Sequence, residues 1–418
     1  TDLRPEGGAW RLRHRDERAE HDEPFDAIAL CPGLFWDPRM PAVPGRESFR
    51  GRVLHSTGYA EPSPFAGQRV LVVGNGVSGL DIAAELCGVA AQVSLAVRRP
   101  QWVIPRMNGF VPNDCALSPL RRMEMQGQSR DETLAGWRAA MPDFMDAFAR
   151  SGLMPEGEIG GGILAVNDRL IELVADGGVA VTAPLAALEG EEAVFADGAR
   201  AAFDAVVFCT GFALPRIPFL GGDPAGLYRN HFHPDHRGLA VIGLYPTTLG
   251  CFSTMELGAR WFARTLSGAA SLPEPDAMRR AIAADRARAV SSAPGEVSVI
   301  PIDTPLDNIW LAEAIGAFPD PARNWRLYWE LISSPPIPSI YRLRGPHEWP
   351  EARAHFDSVK AKLFVKVEDP AESALADAML AELGPEAVRE LAARGEIGAD
   401  QRARVMRLLP KSAEGGMA

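Results

Sequence analysis

Between residues 49 and 80 the chain reads FRGRVLHSTGYAEPSPFAGQRVLVVGNGVSGL, and the residue types and spacing in this stretch are those of nucleotide chemistry. One pattern, FxGxxxHxxxY, falls on Phe49, Gly51, His55 and Tyr59, and a second, GxGxxG, falls on Gly74, Gly76 and Gly79. In a dinucleotide-binding turn each glycine has its own duty. The first allows the tight turn, the second lets backbone approach a pyrophosphate, and the third lets the following helix lie close to the preceding strand. The helix N-terminus then presents unpaired amides to the phosphates.

A lone GxGxxG is a weak signal, since glycine turns are common, but here the surrounding elements stand in the required order. RVLVVG (69–74) reads as a continuous apolar strand, VSGLDIAAELCGVA (77–90) has the spacing of a helix packed on a sheet, and QVSLAVRR (92–99) reads as a second parallel strand. Together they make a βαβ unit, right-handed by the general crossover rule. Where sites preferring NAD place an acidic residue for the ribose 2′-hydroxyl, this chain has Arg98 and Arg99. Guanidinium groups match a 2′-phosphate, so NADPH is the expected nucleotide. The alternative is that both arginines only end a strand in solvent.

Upstream, AWRLRH (9–14) and FDAIALC (25–31) read as two strands joined by the charged stretch RDERAEHDEP, the second ending in the turn Cys31-Pro32-Gly33. PRMPAVP (38–44) is too proline-rich for helix or inner strand and reads as an extended interdomain connection. From about 105 to 162 the pattern loosens into a lid-like insertion with a helix over 132–150. Strands return at 179–181, 193–195 and 205–209, with Asp197-Gly198 as the turn of a hairpin between the last two. Residues 239–244 read as a buried strand, 254–267 as a helix, and the stretch from about 369 to 409 as accessory helices.

The 418 residues, 47% hydrophobic and 23% charged, have the composition of a globular chain of two or three domains. An excess of 54 acidic over 43 basic residues, net −11, disfavours nucleic acid or an anionic membrane surface as main partner. The five cysteines are scattered without a CxxC pair, which predicts a reducing cytoplasm and excludes disulfide redox catalysis from the expectations. No apolar run reaches the length of about 18 residues needed to span a bilayer, and no signal pattern opens the chain.

With both patterns in place, the chain resembles the flavin-containing monooxygenases, in which FxGxxxHxxxY/F precedes the NADPH-binding glycine turn. The resemblance extends to AVRRPQWVIPR (96–106), AVND (165–168), DAVVFCTGF (204–212), LAVIGL (239–244), ELGARW (256–261) and IPSIYRLRGPHEW (337–349). It runs from about Phe25 to about His355. It implies an α/β flavoprotein with two Rossmann-like dinucleotide-binding domains, the NADPH domain inserted in an FAD domain that is N-terminally incomplete here. On that basis residues 1–64 are the FAD-domain remnant and connection, 65–203 the NADPH domain with its insertion, 204–360 the rest of the FAD domain, and 361–418 a helical tail.

The resemblance also implies the chemistry: FAD and NADPH as cofactors, and one oxygen atom of dioxygen placed on a soft nitrogen or sulfur of a small molecule through a C4a-hydroperoxyflavin. It leaves room for a homodimer. By resemblance Gly74, Asn75, Gly76, Ser78, Gly79, Leu80 and Asp81 fall on the cofactor turn and helix start, and Arg98 and Arg99 on the phosphate-recognising pair. Thr210 and Gly211 fall on a further cofactor turn, and His55 and Tyr59 near the active-site cleft. For His55 the equal alternative is a buried strand-end histidine bonded to backbone. The chain departs from the family pattern at Cys31-Pro32-Gly33, where C/A-T-G is usual, at Val77, where many members have Asn, and at Gly258, where many have Gln.

Two other functions compete. A Baeyer–Villiger oxygenase has related patterns but typically ends the first with Trp-Pro, not Tyr59-Ala60. An inactive NADP-binding fragment or remnant is the third reading, because a flavin domain needs its own GxGxxG, expected upstream of Thr1. His231, His233, Asp235 and His236 invite a metal, yet Pro234 breaks any helical face and a surface loop without metal is the expectation. The methionines at 107, 123, 125, 141 and 145 are expected to pack in the core.

Overall fold

The computed structural model of the chain describes residues 2–157, 159, 164–215, 217, 226–236, 238–289, 299–363 and 365–409. The glycine turn sits on a sheet of five parallel strands: β1 (Arg52–His55), β2 (Arg69–Val73), β3 (Gln92–Ala96), β4 (Ala180–Thr182) and β5 (Ala205–Phe208). Their order is β4-β3-β2-β5-β1. The apolar runs RVLVV and AVVF suit this position because a parallel strand is buried on both faces.

Val70, Val72, Val93, Leu95, Ala205 and Val207 point to one face, against Leu80, Ala83 and Leu86 of helix α1 (Val77–Leu86). Leu71, Ala96, Val206 and Phe208 point to the other, against Phe49, Leu188, Ala193, Phe195 and Phe203. That second face is covered by a three-stranded antiparallel sheet of Leu185–Glu189, Glu192–Phe195 and Arg200–Ala202.

Several expectations are corrected here. Asp197-Gly198 joins Glu192–Phe195 to Arg200–Ala202, with Gly198 at φ +85°. Residues 205–208 instead take a central place in the parallel sheet, because their four side chains are all apolar and need cover on both faces. The charged stretch holds a strand of its own: Asp2–Glu6, Ala9–Arg15 and Glu20–Phe25 form an antiparallel meander, and Ile28–Leu30 is a separate strand paired in parallel with Leu239–Val241. Charge is tolerated because the meander's largely exposed side chains pair across strands, as Arg11 does with Asp22 at 2.7 Å.

Part of the insertion packs into the core of the sheet. The helix expected over 132–150 is two, Arg130–Ala140 and Pro142–Arg150, interrupted at Met141-Pro142. Leu134, Phe144, Met145, Ala147 and Phe148 lie in the same core as Leu80 and Leu86. Residues Val103–Ile104 and Ala165–Val166 pair in parallel at its base. Of the methionines, Met145 is buried in that core while Met107 is exposed.

The chain divides into two units. The first, Thr1–Asn113, Gln128–Thr248 and Pro273–Ile302, contains every strand named above. The five-stranded sheet therefore draws strands from both sides of the domain boundaries expected at 64/65 and 203/204. The second, Asp114–Gly127, Leu249–Leu272 and Asp303–Ala418, is helical. In it the buried guanidinium of Arg260 donates to the carbonyl oxygens of Tyr341 and Pro346, both at 2.8 Å. The expected tail is three helices, Ala374–Glu382, Gly384–Ala393 and Ala399–Leu408, tied by Arg404 to Asp377 at 2.6 Å. Among the described residues no helix is long and apolar enough to cross a membrane.

Candidate nucleotide site

The turn after β2 lies where the strand order reverses, between β2 and β5, and each of its glycines meets a different environment. Gly74 has φ +109°, and a Cβ there would lie 2.5 Å from the carbonyl oxygen of Cys209 at the end of β5. A Cβ on Gly79 would lie 1.9 Å from the carbonyl oxygen of Gly74, so the first turn of α1 rests directly on the backbone it has just left. Gly76 is the exception: a Cβ there would meet nothing within 4 Å. Gly74 and Gly79 are demanded by the protein's own packing. Gly76 leaves open space at the N-terminus of α1, where no side chain caps the helix and no acidic residue occupies the first turn. An uncapped, unneutralised helix start of this kind favours an anion. Ser78 is exposed in that first turn, and Leu80 faces the core.

Arg98 and Arg99 follow β3, directly beside β2, and both are exposed. Neither has an acidic partner among the described residues, in a chain whose other arginines are widely paired. Asn75, buried within the turn, donates through Nδ2 to the carbonyl oxygen of Arg99 at 3.0 Å.

Asp81 is engaged with protein groups. Its carboxylate accepts from the guanidinium of Arg106 at 3.0 and 3.1 Å and from Nδ2 of Asn167 at 2.8 Å. Asn167 in turn accepts through Oδ1 from the amides of Arg169 and Leu170, which starts the helix Leu170–Ala175. Asp168 accepts from the amide and guanidinium of Arg106 at 2.6 and 3.1 Å. Helix α1 thus holds both ends of the excursion that leaves after Ile104 and returns at Ala165. The VND element had shown in the sequence without a role, and a polar pair flanking a long insertion was the available signal.

The FxGxxxHxxxY residues brace the sheet edge. A Cβ on Gly51 would lie 2.5 Å from the ring of Phe49 and 2.7 Å from the carbonyl oxygen of Asp204, so Phe49 folds over the glycine. His55 ends β1, buried; its Nδ1 accepts from the amide of Thr57 at 3.2 Å, and Nε2 lies 3.0 Å from the carbonyl oxygen of Gly211. Tyr59 stacks on Phe65 with ring centres 5.7 Å apart and donates to Glu85 of α1 at 3.1 Å. Partial burial and the Glu85 carboxylate raise the phenol's pKa, so it is a fixed hydrogen-bond donor.

Thr210 and Gly211 are also engaged. The Thr210 hydroxyl donates to the carbonyl oxygen of Arg39 at 2.5 Å, and the Arg39 amide donates to the carbonyl oxygen of Gly211 at 3.0 Å. Beneath them, burial pushes the Cys209 thiol up to about 12. The histidine run is no surface loop at its start: His231 is fully buried, with Nδ1 2.5 Å from the carbonyl oxygen of Arg229 and Nε2 3.4 Å from the Tyr245 hydroxyl. The rings of His233 and His236 lie 4.6 Å apart, and Asp235 pairs with Arg279.

A glycine turn at the switch point of a parallel sheet defines a dinucleotide-binding α/β protein. The fold is similar to that of cyclohexanone monooxygenase from Rhodococcus sp. Phi1 bound to NADP+, with a TM-score of 0.52 and 15% identity over 74% of this chain and 76% of that one. The family described as flavin-binding monooxygenase-like matches residues 3–371, and the chain belongs to it. It is therefore a member of an enzyme family of flavoprotein monooxygenases, with their two-dinucleotide-binding-domain fold.

Among its relatives are dimethylaniline monooxygenase [N-oxide-forming] 4 of Oryctolagus cuniculus, 30% identical over 83% of this chain and 65% of that protein. Flavin-containing monooxygenase 5 of Rattus norvegicus is 31% identical over 83% and 68%. Flavin-containing monooxygenase 2 of Homo sapiens is 31% identical over the same shares. The chain spans about two thirds of the length of these curated relatives.

Proposed function

We propose that this chain binds NADPH at residues 74–79 and serves an FAD- and NADPH-dependent monooxygenase that transfers one oxygen atom of dioxygen to a soft nitrogen or sulfur of a small molecule. One observation carries the nucleotide half: open space at Gly76 stands beside two exposed guanidinium groups, Arg98 and Arg99, with no carboxylate partner among the described residues. The pyrophosphate would meet the amides of α1, and a 2′-phosphate the arginine pair. The nitrogen acceptor is supported by a relative named for forming N-oxides.

A flavin nucleotide needs a pyrophosphate cradle of its own. The 418 residues contain one GxGxxG, and among the described residues neither Ile28–Leu30 nor Leu239–Val241 runs directly into a glycine turn and helix. The described residues fit NADP(H) and do not form such a cradle for flavin, so no flavin ligand is assigned among them. Flavin, when bound, supplies the activation of dioxygen. The part played by the described residues is to hold the nicotinamide nucleotide and keep its turn, arginines and sheet edge in register.

The test is an absorbance spectrum of the purified protein together with NADPH consumption on a tertiary amine, a thioether and a cyclic ketone. A flavin band with N-oxide or sulfoxide as product supports the proposal. A colourless protein that binds NADPH and consumes none refutes the oxygenation half. A lactone from the ketone in place of those products selects the Baeyer–Villiger reaction.

A further inference from the structure

Asn75 stands between Gly74 and Gly76 and is only 8% exposed, although it is polar and lies in a turn. Its bond to the Arg99 carbonyl oxygen, 3.0 Å long, joins the backbone that faces a pyrophosphate to the segment that carries both exposed guanidinium groups. That segment leaves the sheet at Ala96. Val97 is buried and its amide donates to the carbonyl oxygen of Thr182 at 3.2 Å, which fixes the start of the segment against β4. Pro100 follows Arg99, restricting it to extended backbone and contributing no amide of its own. The Asn75 side-chain amide therefore holds the segment from the side of the glycine turn, at Arg99, between Val97 and Pro100.

In a 2′-phosphorylated dinucleotide the pyrophosphate and the 2′-phosphate are joined through one ribose, so their separation is set by covalent geometry. A protein that grips both gains when its two subsites are held at a matching distance before the ligand arrives. A segment already fastened gives up less freedom on meeting the phosphate than one that must be ordered. We infer that Asn75 is a positioning residue for ribose 2′-phosphate recognition, setting Arg98 and Arg99 against the pyrophosphate turn and thereby the preference for NADP(H) over NAD(H). The inference rests on reading the two arginines as the phosphate-binding pair.

The experiment is calorimetric titration of the full chain with NADP+ and with NAD+, for wild type, N75A, N75L, R98A/R99A and N75A/R98A/R99A, with thermal midpoints recorded for each. Loss of one hydrogen bond predicts NADP+ affinity about five-fold weaker in N75A and NAD+ affinity changed by less than about two-fold. In the R98A/R99A background N75A should change neither, since the group it positions is gone. N75L, which fills the same space without a donor, should match N75A, and it replaces N75A if that variant does not fold. Equal weakening of both nucleotides, or an unchanged ratio, overturns the inference while leaving the arginine reading in place. An NADP+ preference that survives R98A/R99A overturns the arginine reading itself.

Discussion

Nε2 of His55 lies 3.0 Å from the carbonyl oxygen of Gly211, joining the last residue of β1 to the turn that follows β5. Because Nδ1 accepts from the Thr57 amide, the proton sits on Nε2 and both ring nitrogens are occupied by backbone. His55→Ala should then cost about 1–3 kcal/mol of stability by removing a buried ring and its two bonds to backbone. The pH profile of NADPH oxidation should not move. A lost acid or alkaline limb at unchanged thermal midpoint would instead show a proton-transfer role.

Gly76→Ala and Gly79→Ala should behave in opposite ways. Gly76 has φ −71°, which alanine adopts freely, and open space around it. The variant should fold within about 0.5 kcal/mol of wild type and lose NADP+ affinity roughly ten-fold or more. Gly79→Ala drives a methyl to within 1.9 Å of a carbonyl oxygen and should cost at least ~4 kcal/mol. Chemical denaturation and nucleotide titration of both variants decide the matter, and similar losses of stability would contradict it.

Asp81→Asn should loosen the excursion base and spare the cofactor. Weakened bonds to Arg106 and Asn167 predict a loss of about 1–2 kcal/mol and faster hydrogen exchange at 103–106 and 165–170, with NADP+ affinity nearly unchanged. A ten-fold loss of NADP+ affinity at unchanged exchange would place Asp81 on the nucleotide.

His231 sets an acid limit. Burial drives its pKa down to about 4, against about 6.5 in an unfolded chain. Between those values the unfolded state binds the extra proton, so stability falls as pH drops from about 6.5 to about 4. His231→Gln should be less stable at pH 7 and show a flatter decline over that window. Denaturant midpoints that decline equally in both proteins would remove His231 as the cause.

The βαβ unit and its glycines were legible because their constraint is local: a tight turn, an apolar strand and an amphipathic helix each leave a pattern in a few adjacent residues. The roles of Asp81 and Asn75 were not, since each is defined by a partner, Arg106 or Arg99, that only folding brings near. The strand at 20–25 was hidden by its charges, which cross-strand pairing makes tolerable but no periodicity announces. For the same reason β5 was legible as a strand and illegible in its pairing: AVVF calls for burial on both faces without saying between which neighbours.

Gly74 is shaped against the carbonyl oxygen of Cys209, and the Cys209 amide donates to the carbonyl oxygen of Val73 at 2.8 Å. On the ribosome, the glycines emerge long before the strand that completes their surroundings. A nascent chain halted before residue 205 would carry the whole GxGxxG signature and still lack the wall that sets the turn. Affinity for NADP+ should thus switch on late in synthesis, after β5 has left the exit tunnel and inserted between β2 and β1.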